Sequence, residues 1–74
     1  MAANSYRSGQ AVEWSWGSGT ARGKVKERFE RKVQRTLKGS KIVRNGNADD
    51  PAYLIEQEDG DRVLKSHSEL ERAS

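Results

Sequence analysis

The sequence predicts an all-β fold, a small antiparallel barrel of four to five strands with a short helical turn near its C-terminal end. Three observations carry this. Short segments alternate apolar and polar residues with a period of two, glycine or Asp-Gly turns punctuate them, and 74 residues suffice for only one domain with a small core. A sheet of that size removes its exposed edges by closing on itself.

Residues 1–9 are small and polar without periodicity and read as a mobile arm, with the domain spanning 10–72. From Ala11 to Trp16, Val12, Trp14 and Trp16 share one face and Glu13 and Ser15 lie between them, the alternation of a half-buried strand. Gly17-Ser18-Gly19 allows a tight reversal, and Thr20 restarts the chain. Thr20 to Lys38 has two readings. As strands, Arg22, Lys24, Lys26 and Arg28 fall on one face and Ala21, Gly23, Val25, Glu27 and Phe29 on the other. As a helix, Val25, Phe29, Val33 and Leu37 recur every four residues, and Glu27 precedes Arg31 by four. Gly23 and the lack of a Ser or Asp cap count against the helix. Against the strands, Glu30-Arg31-Lys32 lacks the usual Gly or Asn of a hairpin.

Gly39 then punctuates, Ile42-Val43 is a short apolar step, and Asn45-Gly46-Asn47 is a turn. Asp49-Asp50-Pro51 reads as an ordered loop, because proline fixes its own φ and pushes the residue before it towards extended geometry. Tyr53-Leu54-Ile55-Glu56-Gln57 and Arg62-Val63-Leu64-Lys65, joined through Asp59-Gly60, form the clearest hairpin. The tail from Ser66 to Arg72 fits one helical turn, capped by Ser66 or Ser68, with Leu70 tucked inward.

Composition bounds the function. Leu, Ile, Val and Phe make up 12 of the 74 residues and charged residues 34%, close to the composition of disordered chains, although a net charge of +3 argues against full disorder. With no cysteine there is no disulfide framework or zinc ribbon. Residues 1–44 carry a balance of +8 and residues 45–74 one of −5. That split means either a basic surface for an anionic partner or two halves that pair, within one fold or between two copies in self-association. No apolar run approaches the ~18 residues of a membrane span, and the first ten residues lack the apolar stretch of a secretory signal. No membrane partner is expected, and the expected compartment is the cytoplasm.

No catalytic constellation emerges. Gly17, Gly19 and Gly23 miss the dinucleotide spacing by one residue, and no lysine stands where a phosphate loop requires it. Asp59 and Asp61 lack the rest of a calcium loop. His67 is the sole histidine, and its neighbours on a short turn point apart rather than aligning as a relay. No enzyme activity, metal or cofactor is therefore expected. The densest feature is the basic row of Arg22, Lys24, Lys26 and Arg28, continued by Arg31, Lys32, Arg35, Lys38, Lys41 and Arg44. It suits contact with nucleic acid through phosphate neutralisation, or is a solvated face that keeps a small sheet soluble. Trp14, Trp16 and Tyr53 are either core or a partly exposed cluster that holds a cation or peptide side chain.

From Val12-Glu13-Trp14-Ser15-Trp16-Gly17 through Asp50-Pro51-Ala52-Tyr53-Leu54-Ile55-Glu56-Gln57-Glu58-Asp59-Gly60-Asp61 to Ser68-Glu69-Leu70, the chain resembles the hypervirulence-associated Tudor-like domain family of bacteria and fungi, over about residues 10–70. The resemblance implies an SH3-like, Tudor-type barrel, which tips Thr20 to Lys38 towards strands, and it implies no known enzyme activity. Tudor-type barrels elsewhere bind methylated side chains in aromatic cages or contact nucleic acid. The expectation is a non-enzymatic binding module that engages a peptide or protein through Trp14, Trp16, Tyr53, Arg22, Lys24, Lys26, Arg28, Arg35 and Lys38. The alternative is a nucleic-acid-binding protein using the basic strands 22–44.

Overall fold

A computed structural model describes residues 5–73. Seven strands follow in order: β1 (Ala11–Trp16), β2 (Gly19–Phe29), β3 (Lys32–Leu37), β4 (Ser40–Asn45), β5 (Ala52–Gln57), β6 (Arg62–Ser66) and β7 (Glu71–Arg72), with a 3₁₀ turn at His67–Glu69 between the last two. They build a five-stranded antiparallel sheet in the order β6-β5-β2-β1-β7 and a separate β3–β4 hairpin. The fold is all-β as expected. Its strand count is not: β4 is longer than the Ile42-Val43 step predicted, and β7 pairs with β1 where only a turn was read. No backbone ladder joins the two sheets among the described residues, so the hairpin covers the larger sheet by side-chain packing. No helix among these residues is long and apolar enough to cross a membrane.

The helical reading of residues 20–38 fails because its apolar stripe serves two different clusters. Val25 packs with Val12, Trp14, Tyr53, Ile55 and Leu70, whereas Phe29 and Val33 pack with Ala52, Leu54 and Leu64. The chain bends between β2 and β3 at Glu30-Arg31, and the four-residue spacing is a coincidence of two strands meeting at that corner. Between the clusters lies β5. Its Tyr53 and Ile55 face one, its Ala52 and Leu54 the other, so the run is buried on both faces. That explains a continuous apolar segment where one-sided strands alternate.

A β-bulge in β2 makes the two-sided arrangement work. Val25 lies across from Ile55, but the next partner of Leu54 is Glu27, so β2 spends one extra residue. A one-residue slip exchanges the faces of every following side chain. Phe29 thereby faces the second cluster, and Arg28 leaves the face of Arg22, Lys24 and Lys26 to lie across from Tyr53. The four-residue basic face read from the sequence is thus a face of three.

The turn joining β3 to β4 is Lys38-Gly39, both residues at positive φ (52° and 78°), the requirement of a two-residue hairpin turn whose twist matches its strands. The loop before β5 is closed by side chains. Asn47 Oδ1 accepts from the N–H groups of Asp49 and Asp50 (2.9 and 2.7 Å), and the Asp50 carboxylate accepts from the N–H and hydroxyl of Ser68 (2.9 and 3.2 Å). On the other side of the 3₁₀ turn, the Glu69 carboxylate accepts from the Ser66 N–H (2.7 Å) and Leu70 is buried, as the capped-turn reading expects. Hydrogen bonds to a carboxylate contribute more than neutral ones. Asp50→Ala is therefore expected to lower stability by about 1–2 kcal/mol, measured by urea denaturation, and Asp50→Asn to lower it less.

Of the predicted arm, Tyr6, Ser8 and Gly9 hydrogen-bond to the sheet, while residues 1–4 lie outside the described residues. The Tyr6 N–H donates to the Tyr53 hydroxyl (2.9 Å), the Ser8 hydroxyl to the Lys26 carbonyl (3.3 Å) and the Gly9 N–H to the Val25 carbonyl (2.7 Å).

Candidate functional site

The two tryptophans of β1 have different fates. Trp14 is 4% exposed and belongs to the first cluster, whereas Trp16, past the end of that cluster, is 70% exposed. Tyr53 is fully buried, and its hydroxyl is occupied by the Tyr6 N–H and by His67 Nδ1 (3.2 Å), with the Tyr6 ring stacked on His67 at 4.7 Å. A cage of Trp14, Trp16 and Tyr53 therefore does not form. Two of its members are core, because only Trp14 and Tyr53 lie opposite residues that can cover them, and the aromatic surface reduces to Trp16.

Trp16 stands at a groove of about 330 Å³ between the end of β1, the edge strand β6 and the β3–β4 hairpin. Leu37, Ile42, Val63 and Leu64 line it, along with Trp14. Four cations surround these apolar groups: Lys38 and Arg44 from the hairpin, Arg62 and Lys65 from β6. Two of them are tied to carboxylates of the chain. Lys38 Nζ lies 2.6 Å from Asp61, and Arg44 Nε 3.3 Å from Glu69. Hydrogen bonding to Asp61 holds the Lys38 pKa above the ordinary lysine value. Both pairs join the hairpin to the larger sheet, which no backbone ladder does. Arg62 and Lys65 form no ion pair among the described residues; Glu56, directly across from Arg62, is engaged by Lys26 at 3.5 Å.

The remaining predicted site residues are dispersed over the molecule. Arg22, Lys24 and Lys26 lie beside a second depression with Glu56 and Glu58, and two of them are paired, Arg22 with Glu13 (3.3 Å) and Lys26 with Glu56. Arg28 pairs with Glu30, and that hydrogen bond raises its pKa against the opposing effect of burial. Arg35 reaches Glu27 (3.6 Å) and lies over the Phe29 ring, 5.0 Å from its centroid, with Arg31 at 5.5 Å. Five of the six predicted cations thus have a carboxylate partner, Lys24 being the exception among the described residues. Of the six ion pairs among the described residues, three link the basic first part of the chain to its acidic second part. The charge split is in part satisfied inside one molecule.

Of the nine predicted residues, the groove gathers Trp14, Trp16 and Lys38. Arg62 and Lys65 were missed, because they stand in the acidic part of the sequence and read there only as the polar positions of a hairpin. Their signal was the strand order: β6 ends the five-stranded sheet, and the cations flanking Val63-Leu64 border the groove between it and the β3–β4 hairpin.

The sequence model of one family, described as the TUDOR domain of hypervirulence associated proteins, matches residues 9–70. No curated protein and no solved structure matches the chain.

Proposed function

The chain belongs to the hypervirulence-associated TUDOR domain family, and from that membership we propose a non-enzymatic binding module that engages a segment of peptide or protein in the groove beside Trp16. The observation that carries this reading is an indole left 70% exposed at the mouth of an apolar groove rimmed by cations. An exposed aromatic next to a concave apolar surface is what an interface hot spot requires. Binding is proposed rather than catalysis because, among the described residues, the ring of the one histidine of the sequence hydrogen-bonds only to the Tyr53 hydroxyl and to no serine or threonine hydroxyl that it could activate.

The basic strands 22–44 support nucleic-acid contact less well. Most of the predicted row is matched by carboxylates, and the bulge at Lys26/Glu27 divides it between two faces. A phosphate backbone is bound by rows of unpaired cations. An NMR titration of the folded protein with a mixed-sequence hexapeptide library, and separately with oligothymidylate, tests the assignment. Peptide-induced shifts at Trp16, Arg44 and Lys65 are expected. Shifts confined to Lys24, Lys32 and Lys41, produced by oligothymidylate and fading steeply with salt, would overturn it in favour of nucleic acid.

A further inference from the structure

We infer that the groove beside Trp16 takes an extended acidic peptide in which two carboxylates three positions apart bracket an apolar side chain. This rests on the groove being the binding site and adds the chemistry and spacing of its ligand.

The charge follows from which cations are left over. Lys38 and Arg44, at the two ends of the hairpin side, already hold Asp61 and Glu69. Arg62 and Lys65 border the same groove with no ion pair among the described residues. An incoming carboxylate at either is matched without first displacing one of the chain's own.

The spacing follows from the strand that carries them. β6 is the terminal strand of the five-stranded sheet, and three residues at about 3.3 Å each set the Cα atoms of Arg62 and Lys65 about 10 Å apart. Side chains three apart on a strand point to opposite faces. Arg62 therefore shares a face with Leu64, on the side of the hairpin, and Lys65 shares one with Val63, on the side of Trp14. An extended ligand lying along β6 has the same rise and alternation, so acidic residues at its positions i and i+3 meet both cations, one on each side. A residue between them then faces Trp16, Trp14 and Val63.

The lining favours a peptide over a nucleic acid. Ser40 and Gln57 are its uncharged hydrogen-bonding side chains outside the indoles, while Leu37, Ile42, Val63 and Leu64 offer a base edge no partner, and a polar edge buried against them is costly. An apolar side chain has no such requirement.

The test uses the full chain and three synthetic hexapeptides. The first has two glutamates three positions apart around a leucine, the second replaces both glutamates with glutamine, and the third brings the glutamates two positions apart. Affinities come from NMR titration, with the Trp16 indole N–H as reporter. The first peptide is expected to bind roughly fivefold to tenfold more tightly than the second, two exposed ion pairs being lost in the exchange. Arg62→Gln/Lys65→Gln should abolish that preference, bringing the ratio of the two affinities to about one. Equal affinity of the first two peptides, with the indole still shifting, overturns the acidic ligand and leaves the groove reading standing. Equal affinity of the first and third overturns the spacing. Indole shifts produced by oligothymidylate and by none of the peptides overturn the peptide ligand. No shift at Trp16 with any probe removes the groove reading itself.

Discussion

Replacing Trp14 with alanine is expected to cost about 3–5 kcal/mol of folding free energy, while the same replacement at Trp16 shifts stability by no more than about 0.5 kcal/mol. The residues are two apart on one strand and share one face by alternation, yet Trp14 is enclosed by Val12, Val25, Tyr53, Ile55 and Leu70, and Trp16 extends past them. Removing the first leaves a cavity in a cluster with few other members; removing the second exposes nothing that was covered. A domain of this size holds only about 4–11 kcal/mol, so the Trp14 variant should be largely unfolded on moderate warming. Urea denaturation of both variants checks the contrast. A Trp16→Ala protein as unstable as Trp14→Ala would mean that Trp16 is covered in solution, and the groove beside it would be closed. In the binding assay the order reverses: Trp16→Ala should retain the fold and lose peptide affinity.

Gly46→Ala is expected to cost about 3 kcal/mol. A Cβ at this position would lie 2.5 Å from the Phe29 carbonyl oxygen, 2.9 Å from the Ala52 nitrogen and 3.0 Å from the Arg31 carbonyl oxygen. All three are backbone atoms, so no side-chain rotation relieves the overlap. Here the end of β4 passes the corner between β2 and β3 and the start of β5, and the Gly46 N–H donates to the Arg31 carbonyl (3.1 Å). At ~4–8 °C per kcal/mol for a domain of this length, the melting temperature should fall by about 12–24 °C. Gly17→Ala meets no atom within 4 Å and carries only the strain of its positive φ, and should cost visibly less. A Gly46→Ala protein that melts no lower than Gly17→Ala would refute the crossing.

Residues with local consequences were the legible ones. The Asp59-Gly60 hairpin, the Ser66 to Leu70 turn and the β1 alternation follow from turn chemistry and period, and each is present in the structure. Gly46 was legible only by half. Its place in Asn45-Gly46-Asn47 marks a break in the chain, but the reason only glycine fits is three backbone atoms from elsewhere. The basic row was misread for the same kind of reason. Alternation alone keeps Arg28 with Arg22, Lys24 and Lys26, while the bulge that separates them exists because Phe29 has to reach a second apolar cluster.

By itself the sequence determined the class of this protein: all-β, little apolar matter distributed at strand period between glycine turns, and a family whose pattern spans residues 9–70. It also determined that charge is divided between the two halves, since that is a matter of counting. Only the tertiary structure decided where the charges and aromatics lie. Burial assigned Trp14 and Tyr53 to the core and left Trp16 outside, ion pairs occupied most of the predicted basic row, and strand order placed Arg62 and Lys65 on the terminal strand of the larger sheet, beside the hairpin. The physical reason is that period and turn signals act between near neighbours, whereas burial, pairing of charges and the position of an edge depend on residues tens of positions away.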